Sequence, residues 1–274
     1  MFHRLTSISV LTFIALSPVV ALADATPLVP HRAAYELTLH SSRGKGVTTV
    51  SGRIGLEFTG NACDGYATNF RQVTEIADGE GKSQSSDMRL TTFEGGDGKL
   101  LRFNGEKRSN GGSADITSGQ AERANDGGLS VDIRQPKQTK MDVDGVAVFP
   151  TDHMIRLINA AKKGERIMEV RLYDGSDGGE KIYDTTALIG NAVASEGRPV
   201  EEAAGKAGLK TMPRWPVSIS YFEPGNGERT PVYVLSFDLF ENGVSGALKL
   251  DFGDFALKGE LKRLELLKET ECKK

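Results

Sequence analysis

The sequence predicts a mainly β protein: a single large antiparallel sheet rolled into an open barrel, with one amphipathic helix near residues 151–163. Three observations predict it. Apolar and polar residues alternate with a period of two along much of the chain, turns rich in glycine separate these segments, and one segment carries a helical apolar stripe. With 32 glycines, 10 prolines and 38% hydrophobic residues, the composition suits many short strands and not a disordered chain.

The first 23 residues have the layout of a secretory signal peptide. A short basic start precedes an apolar run at residues 5–20, and the sequence Ala-Leu-Ala ends at Ala23. We expect cleavage after Ala23, export to the periplasm, and a mature chain, residues 24–274, that folds as one β domain. No transmembrane span is expected, because neither this run nor any later stretch reaches the roughly 20 apolar residues that a spanning helix needs.

The only two cysteines, Cys63 and Cys272, both lie in the part expected to be exported. An even number of cysteines in an oxidising compartment favours pairing. A catalytic or redox thiol would need a basic neighbour or a Cys-x-x-Cys pair, and the sequence has neither. We therefore predict one structural disulfide, which in the chain-entropy model contributes on the order of 5 kcal/mol because the loop it closes is so long.

Strands are predicted where one face of an alternating segment is apolar. The apolar positions of the clearest segments are Tyr35, Leu37 and Leu39; Ile54, Leu56 and Phe58; Leu129, Val131 and Ile133; Met168, Val170 and Leu172; Val217, Ile219 and Tyr221; Tyr233, Leu235, Phe237 and Leu239; and Leu248, Leu250 and Phe252. Glycine and asparagine turns between such segments indicate sequential antiparallel hairpins. A twisted sheet of about ten or more strands splits or rolls up, which predicts an incompletely closed barrel.

The predicted helix begins at Thr151, a suitable N-cap, and ends at Gly164. Its apolar stripe consists of Met154, Ile155, Leu157, Ile158 and Ala161, and we expect this stripe to cover an open face of the sheet. Residues 192–210 lack periodicity and are predicted to form a long surface loop with a short helical piece. Residues 174–180 resemble a calcium loop in composition but not in ligand spacing, so a hairpin tip is predicted there.

No catalytic, cofactor-binding or metal-binding residue emerges from the sequence. His31, His40 and His153 do not form a zinc set of the usual spacing, and Asp152 beside His153 lacks a Gly-x-Ser-x-Gly nucleophile. The net charge of −3 and pI near 5.9 offer no basic face for nucleic acid. Pairs of carboxylates contributed by distant strands leave no local signal, so a hydrolase stays open as an alternative.

Several longer motifs resemble one known family. They are PHRAAYEL at residues 30–37, CDGY at 63–66, FPTDH at 149–153, LYDGS at 172–176, KIYDT at 181–185, ENGVS at 241–245, and the final cysteine. By these motifs the chain is similar to the cell-envelope integrity protein EipB family of alphaproteobacteria, formerly a domain of unknown function. The resemblance covers essentially the whole mature chain.

The resemblance implies a periplasmic β-spiral, an opened barrel of about fourteen strands. It also implies a role in envelope integrity and stress resistance, and no established enzymatic activity. Cys63 and Cys272 match the family's cysteine pair, which joins an early strand to the C-terminus. No catalytic residues come with the family, so none are carried over.

Three functions are compatible with the sequence. The favoured one is a non-catalytic protein that maintains the cell envelope through contacts with other periplasmic or envelope proteins. The second is a carrier that binds lipid, lipoprotein or an extended peptide in a half-open barrel. The third is the hydrolase. The sequence leaves the ligand, the partner and the formation of a homodimer open.

Overall fold

The computed structural model describes residues 28–43, 46–193, 197–225 and 229–272, so the predicted signal peptide lies outside the described residues. The strands in the described part are β1 (His31–Ser42), β2 (Val47–Asn61), β3 (Gly65–Asp78), β4 (Ser83–Glu94), β5 (Leu100–Ser109), β6 (Ala114–Arg123), β7 (Leu129–Gln135), β8 (Thr139–Val143), β9 (Ala147–Val148), β10 (Ile167–Leu172), β11 (Tyr183–Ile189), β12 (Arg214–Phe222), β13 (Tyr233–Phe240), β14 (Ser245–Asp251) and β15 (Phe255–Leu266). The α-helices are α1 (Pro150–Lys163) and α2 (Glu202–Lys206), and short 3₁₀ turns lie at Asp177–Gly179 and Leu209–Thr211.

All 15 strands belong to one sheet, whose spatial order is β8-β7-β6-β5-β4-β3-β2-β1-β15-β14-β13-β12-β11-β10-β9. The sheet rolls into an open barrel, as predicted, with one strand more than the resemblance implied. The prediction of a wholly antiparallel sheet is wrong at one place, because β9 pairs with β10 in parallel. The reason is the connection: α1 carries the chain from β9 back to β10, and a helical crossover returns a strand in the same direction.

The first and last strands meet in the middle of the sheet. β1 and β15 pair from His31 opposite Leu266 to Ser42 opposite Phe255. The predicted disulfide is present beside this pairing and links Cys63 to Cys272, with their Cα atoms 5.6 Å apart. The bridge joins the turn between β2 and β3 to the segment after β15, and β15 is an internal strand, so the disulfide fixes the centre of the sheet.

Helix α1 packs its apolar stripe against the inner face of the C-terminal strands, which confirms the predicted helix and its covering role. Leu157 and Ile158 are buried in one cluster with Trp215 of β12. The helix starts one residue earlier than predicted, with Phe149 at the N-cap position. Thr151 is therefore not the N-cap, and its contacts go to another strand, as described below.

Residues 174–180 lie in the connection between the antiparallel strands β10 and β11, as the predicted hairpin tip requires, but part of this connection is buried. Tyr173 and Gly179 are buried, and the segment packs against Phe103 of β5. Gly175 has φ +72°, and a Cβ atom at this position would lie 2.4 Å from Cγ of Phe103. Only glycine therefore fits, because any side chain would meet both a positive φ and a steric clash.

The stretch 192–210 contains α2, which is partly buried and not wholly on the surface. Ala203 and Ala204 pack against the cluster beneath β1 and β15. Glu201 accepts hydrogen bonds from the backbone N–H groups of Ala247 and Leu261, both at 2.7 Å. Its carboxylate thus bridges β14 and β15 at the point where their pairing has ended.

Candidate functional site

The sheet ends at β8 on one side and at β9 on the other, and β9, with only two residues, covers only one end of β10 beside the seam between them. β9 pairs with Arg171 and Leu172 of β10. The carbonyl oxygen of Arg166, just before β10, accepts a hydrogen bond from the backbone N–H of Ile189 at the end of β11. The backbone groups of the even-numbered residues of β10 therefore bond to β11, whereas those of the odd-numbered residues point to the opposite side. The N–H and C=O groups of Ile167 and Glu169 therefore face the seam, and no described backbone group pairs with them.

Beside this free edge lies a groove of about 410 Å³, which we call the seam groove. It is lined by residues just before and on β9, by α1, and by β10 and β11, among them Val146, Arg156, Glu169, Arg171 and Asp184. Arg229 also lines it and binds Asp184 through Nη1 at 2.6 Å. The seam groove thus presents charged side chains around an unpaired strand edge.

Apolar side chains flank the groove at the surface. Ile167 is 61% exposed, Leu188 is 56% exposed and Val146 is 58% exposed. Ile167 and Leu188 are directly paired across β10 and β11, so they form one continuous patch. Exposed apolar residues beside a free strand edge are a combination that soluble proteins usually avoid unless the edge binds something.

Behind the seam, a buried carboxylate anchors the start of α1. Glu94, 5% exposed at the end of β4, accepts the backbone N–H of Thr151 at 2.9 Å and its hydroxyl at 2.6 Å. Burial raises the pKa of Glu94 to about 7, although the bonds from Thr151 act in the opposite direction. The anchor is therefore a carboxyl group that titrates near neutral pH.

His153 lies two residues further along α1 and is buried without a hydrogen-bond partner for Nε2 among the described residues. Burial lowers the pKa of His153 to about 4. Asp152 directs its carboxylate to Arg156, 2.9 Å away, and not to the histidine. Asp152 and His153 therefore do not form the acid–histidine pair of a triad.

We predict that the titrations of Glu94 and His153 make the free energy of unfolding depend on pH in opposite directions. Glu94 has a folded-state pKa of about 7 against an ordinary 4.5, so its stabilising effect is complete below 4.5 and is lost as pH rises through 7. His153 has a folded-state pKa of about 4 against 6.5, so its effect is present above 6.5 and is lost as pH falls through 4. Each effect is about 3 kcal/mol from the size of the shift.

The measurement is urea unfolding between pH 4 and 8. Relative to Glu94→Gln, the wild type should lose about 3 kcal/mol of unfolding free energy between pH 4.5 and 7.5. Relative to His153→Leu, it should gain a similar amount between pH 4 and 6.5. Parallel pH profiles for the wild type and both variants would contradict the assignment.

The residues singled out from the sequence are distributed as follows. Cys63 and Cys272 are brought together, whereas His31, His40 and His153 belong to no group of three or more metal-ligating side chains in the described part of the chain. None of the described helices is long and apolar enough to cross a membrane. Sequence reasoning missed Glu94, although strand alternation with Leu90 and Thr92 already places it on the inner face.

Comparison with known proteins agrees with this architecture. The EipB-like family matches residues 22–268. The chain belongs to the EipB-like family. Within it, one relative is the cell envelope integrity protein EipB of Brucella abortus (strain 2308), 35% identical over 246 residues, which cover 89% of this chain and 86% of the relative.

A solved structure of another EipB-like chain shows the same fold. It is the crystal structure of a β-barrel-like protein of domain of unknown function DUF1849 from Brucella abortus, 35% identical with a TM-score of 0.81. The alignment covers 88% of this chain and 99% of the other. The open barrel is therefore the fold of this EipB-like protein over nearly its whole length.

Proposed function

We propose that this protein is exported to the periplasm and maintains the integrity of the cell envelope without catalysing a reaction, by binding extended segments of other envelope proteins along the seam groove. One observation carries the proposal: within the described part of the chain, no backbone group pairs with the edge of β10 at Ile167 and Glu169. The signal-like sequence of residues 1–23 supports export, and the name of the Brucella relative supports the role in the envelope.

An unpaired edge of this kind binds peptides by adding a strand to the sheet. The two N–H and two C=O groups of Ile167 and Glu169 supply directional hydrogen bonds to any extended backbone. The exposed pair Ile167 and Leu188 supplies apolar contact next to this edge. Arg171 and Asp184, which form an ion pair at 3.7 Å, offer charges of both signs to partner side chains. Main-chain pairing therefore supplies affinity, and the groove supplies selectivity.

The carrier alternative has one observation in its favour. Leu56, Phe70 and Leu90 lie on adjacent strands, face the concave side of the sheet and are only partly buried. Much of the remaining interior is filled by α1 and its cluster. Mass spectrometry of an organic extract of the purified protein tests this function, because a carrier should retain lipid in about equal amount to protein.

The edge-binding function is tested with Glu169→Pro. Proline removes the N–H that faces the seam but none that bonds to β11, so the native sheet should persist while strand addition is blocked. Glu169→Ala is the matched control, because it deletes the side chain and keeps the N–H group. Both variants are introduced into a deletion strain, and sensitivity to detergent and β-lactam is measured together with periplasmic protein level.

We expect Glu169→Ala to restore resistance and Glu169→Pro to fail at an equal protein level and melting temperature. Full complementation by Glu169→Pro would exclude the edge of β10 as the binding site. A deletion strain with normal envelope resistance would contradict the role in envelope integrity itself.

A further inference from the structure

A small cavity of about 170 Å³ lies beside the N-terminal end of α1 and is separate from the seam groove. Leu28, Leu56, Phe58 and Met154 provide most of its apolar wall, and His31 is part of the same wall. Thr68 also lines the cavity. The cavity is thus mostly apolar with few polar groups, a composition typical of small-molecule sites.

A hydrogen bond fixes the tautomer of the His31 imidazole. Its Nδ1 lies 2.8 Å from the carbonyl oxygen of Val29. A carbonyl oxygen only accepts, so Nδ1 carries the proton and donates it. Burial lowers the pKa of His31, so the ring is neutral at pH 7 and Nε2 keeps a lone pair.

This lone pair is available to a ligand. His31 is only 4% exposed, yet its Nε2 has no hydrogen-bond partner among the described residues and is not among the fully enclosed polar atoms. An acceptor that is not fully enclosed binds water when the cavity holds no ligand, and a donor group of a ligand can replace that water. The ligand therefore needs an O–H or N–H group next to an apolar body.

The volume and the wall residues of the cavity limit the size and the chemical type of the ligand's apolar part. An apolar cavity of about 150 Å³ holds a benzene molecule, so 170 Å³ suffices for one six-membered ring with a small substituent. Phe58 lies 5.8 Å from His31 between ring centroids and stacks on Tyr66 at 5.0 Å. An aromatic wall of this kind favours an aromatic guest.

We propose that the cavity is a binding site for a phenol ring, whose hydroxyl group donates a hydrogen bond to Nε2 of His31. The ring belongs either to a free phenol or to a tyrosine side chain, and the two share the same recognition chemistry. This site does not involve the edge of β10, so the outcome of its test does not affect the proposed function.

The test compares p-cresol with toluene, which has the same ring and methyl group but no hydroxyl, by NMR titration of the whole mature protein. We expect p-cresol to bind about two- to tenfold more tightly, the range given by one neutral hydrogen bond. The variant His31→Leu should bind toluene and p-cresol equally, because it removes the Nε2 acceptor; it also removes the Nδ1–H bond to the carbonyl oxygen of Val29, so its melting temperature is compared with that of the wild type. Thr68→Phe fills the cavity and should abolish binding of both at an unchanged melting temperature.

A third ligand separates the two sources of the ring. N-acetyl-tyrosinamide should compete with p-cresol if a tyrosine side chain can enter, and its failure to compete assigns the site to free phenols. Equal affinity of the wild type for p-cresol and toluene would overturn the role of His31. Shifts that leave Phe58 and Met154 unaffected would overturn the cavity as the site.

Discussion

Removal of the disulfide is expected to lower the free energy of unfolding by about 5 kcal/mol. Cys63 and Cys272 are 209 residues apart, so the open chain gains a large loop entropy in the unfolded state. Both cysteines are exposed, so their replacement should disturb the native packing little. The expected loss is comparable with the whole stability of many domains, which predicts a low steady-state level of the variant in the cell.

The measurement is denaturant unfolding of Cys63→Ser, Cys272→Ser and the double variant, with the reduced wild type as the reference. All four should unfold at the same denaturant concentration, because each lacks the same bond. A double variant within 1 kcal/mol of the oxidised wild type would contradict the chain-entropy argument. Such a result would assign the stability to local contacts, such as the bonds from Asn61 to Thr270 at 3.1 Å.

The second large effect is expected at a buried ion pair. Arg214 of β12 is 1% exposed, its Nε lies 3.4 Å from Oδ2 of Asp238 of β13, and its guanidinium lies 5.8 Å from the ring of Phe240. Arg198 also binds Asp238 from the surface. Arg214→Met should destabilise the protein by about 3–5 kcal/mol, because it leaves the carboxylate of Asp238 buried with only one partner.

The double variant Arg214→Met with Asp238→Leu distinguishes a lost attraction from a stranded charge. Replacement of both charges by apolar residues of similar volume should recover most of the stability. Lys206→Met is the control, because it breaks the exposed pair with Glu202 and should change unfolding by less than about 0.5 kcal/mol. A double variant as unstable as Arg214→Met would contradict this explanation.

Local alternation was sufficient to predict seven of the fifteen described strands, namely β1, β2, β7, β10, β12, β13 and β14. Tyr35 and Leu37 of β1, or Val217 and Ile219 of β12, are buried as their spacing predicted. A strand with one face against a core leaves this signal in any short window of sequence. The disulfide could also be predicted from the sequence, because the prediction needed only the number of cysteines and the expected compartment.

Features that depend on distant parts of the chain were not predictable. β9 is two residues long, too short to show any period, and its parallel pairing follows from the helix after it. Residues 174–180 pack inward against Phe103, which lies about seventy residues earlier in the chain. In the sequence, the glycines of this segment resemble those of any turn. The true anchor of α1 is Glu94 of β4, whereas the local sequence suggested Thr151.

The candidate site shows the same limit. The strand at this place was predicted from Met168, Val170 and Leu172, and nothing in the sequence around Ile167 indicates that its backbone groups lack a partner among the described residues. Whether a strand is at an edge depends on the order of strands in the sheet, and that order is set by pairings between residues far apart in sequence. The predicted strand was correct, and its free edge became visible only in the assembled sheet.

The central position of β1 has a consequence for biogenesis. Strands β1 to β8 form one meander and β10 to β15 form another, and the pairing of β1 with β15 is the join between them. During synthesis β1 emerges first and β15 last, so the half of the sheet that contains β1 lacks its neighbour until the rest of the chain has been made. Contacts this distant in sequence form slowly. The new chain therefore passes through a period with exposed strand edges, during which it is prone to aggregate.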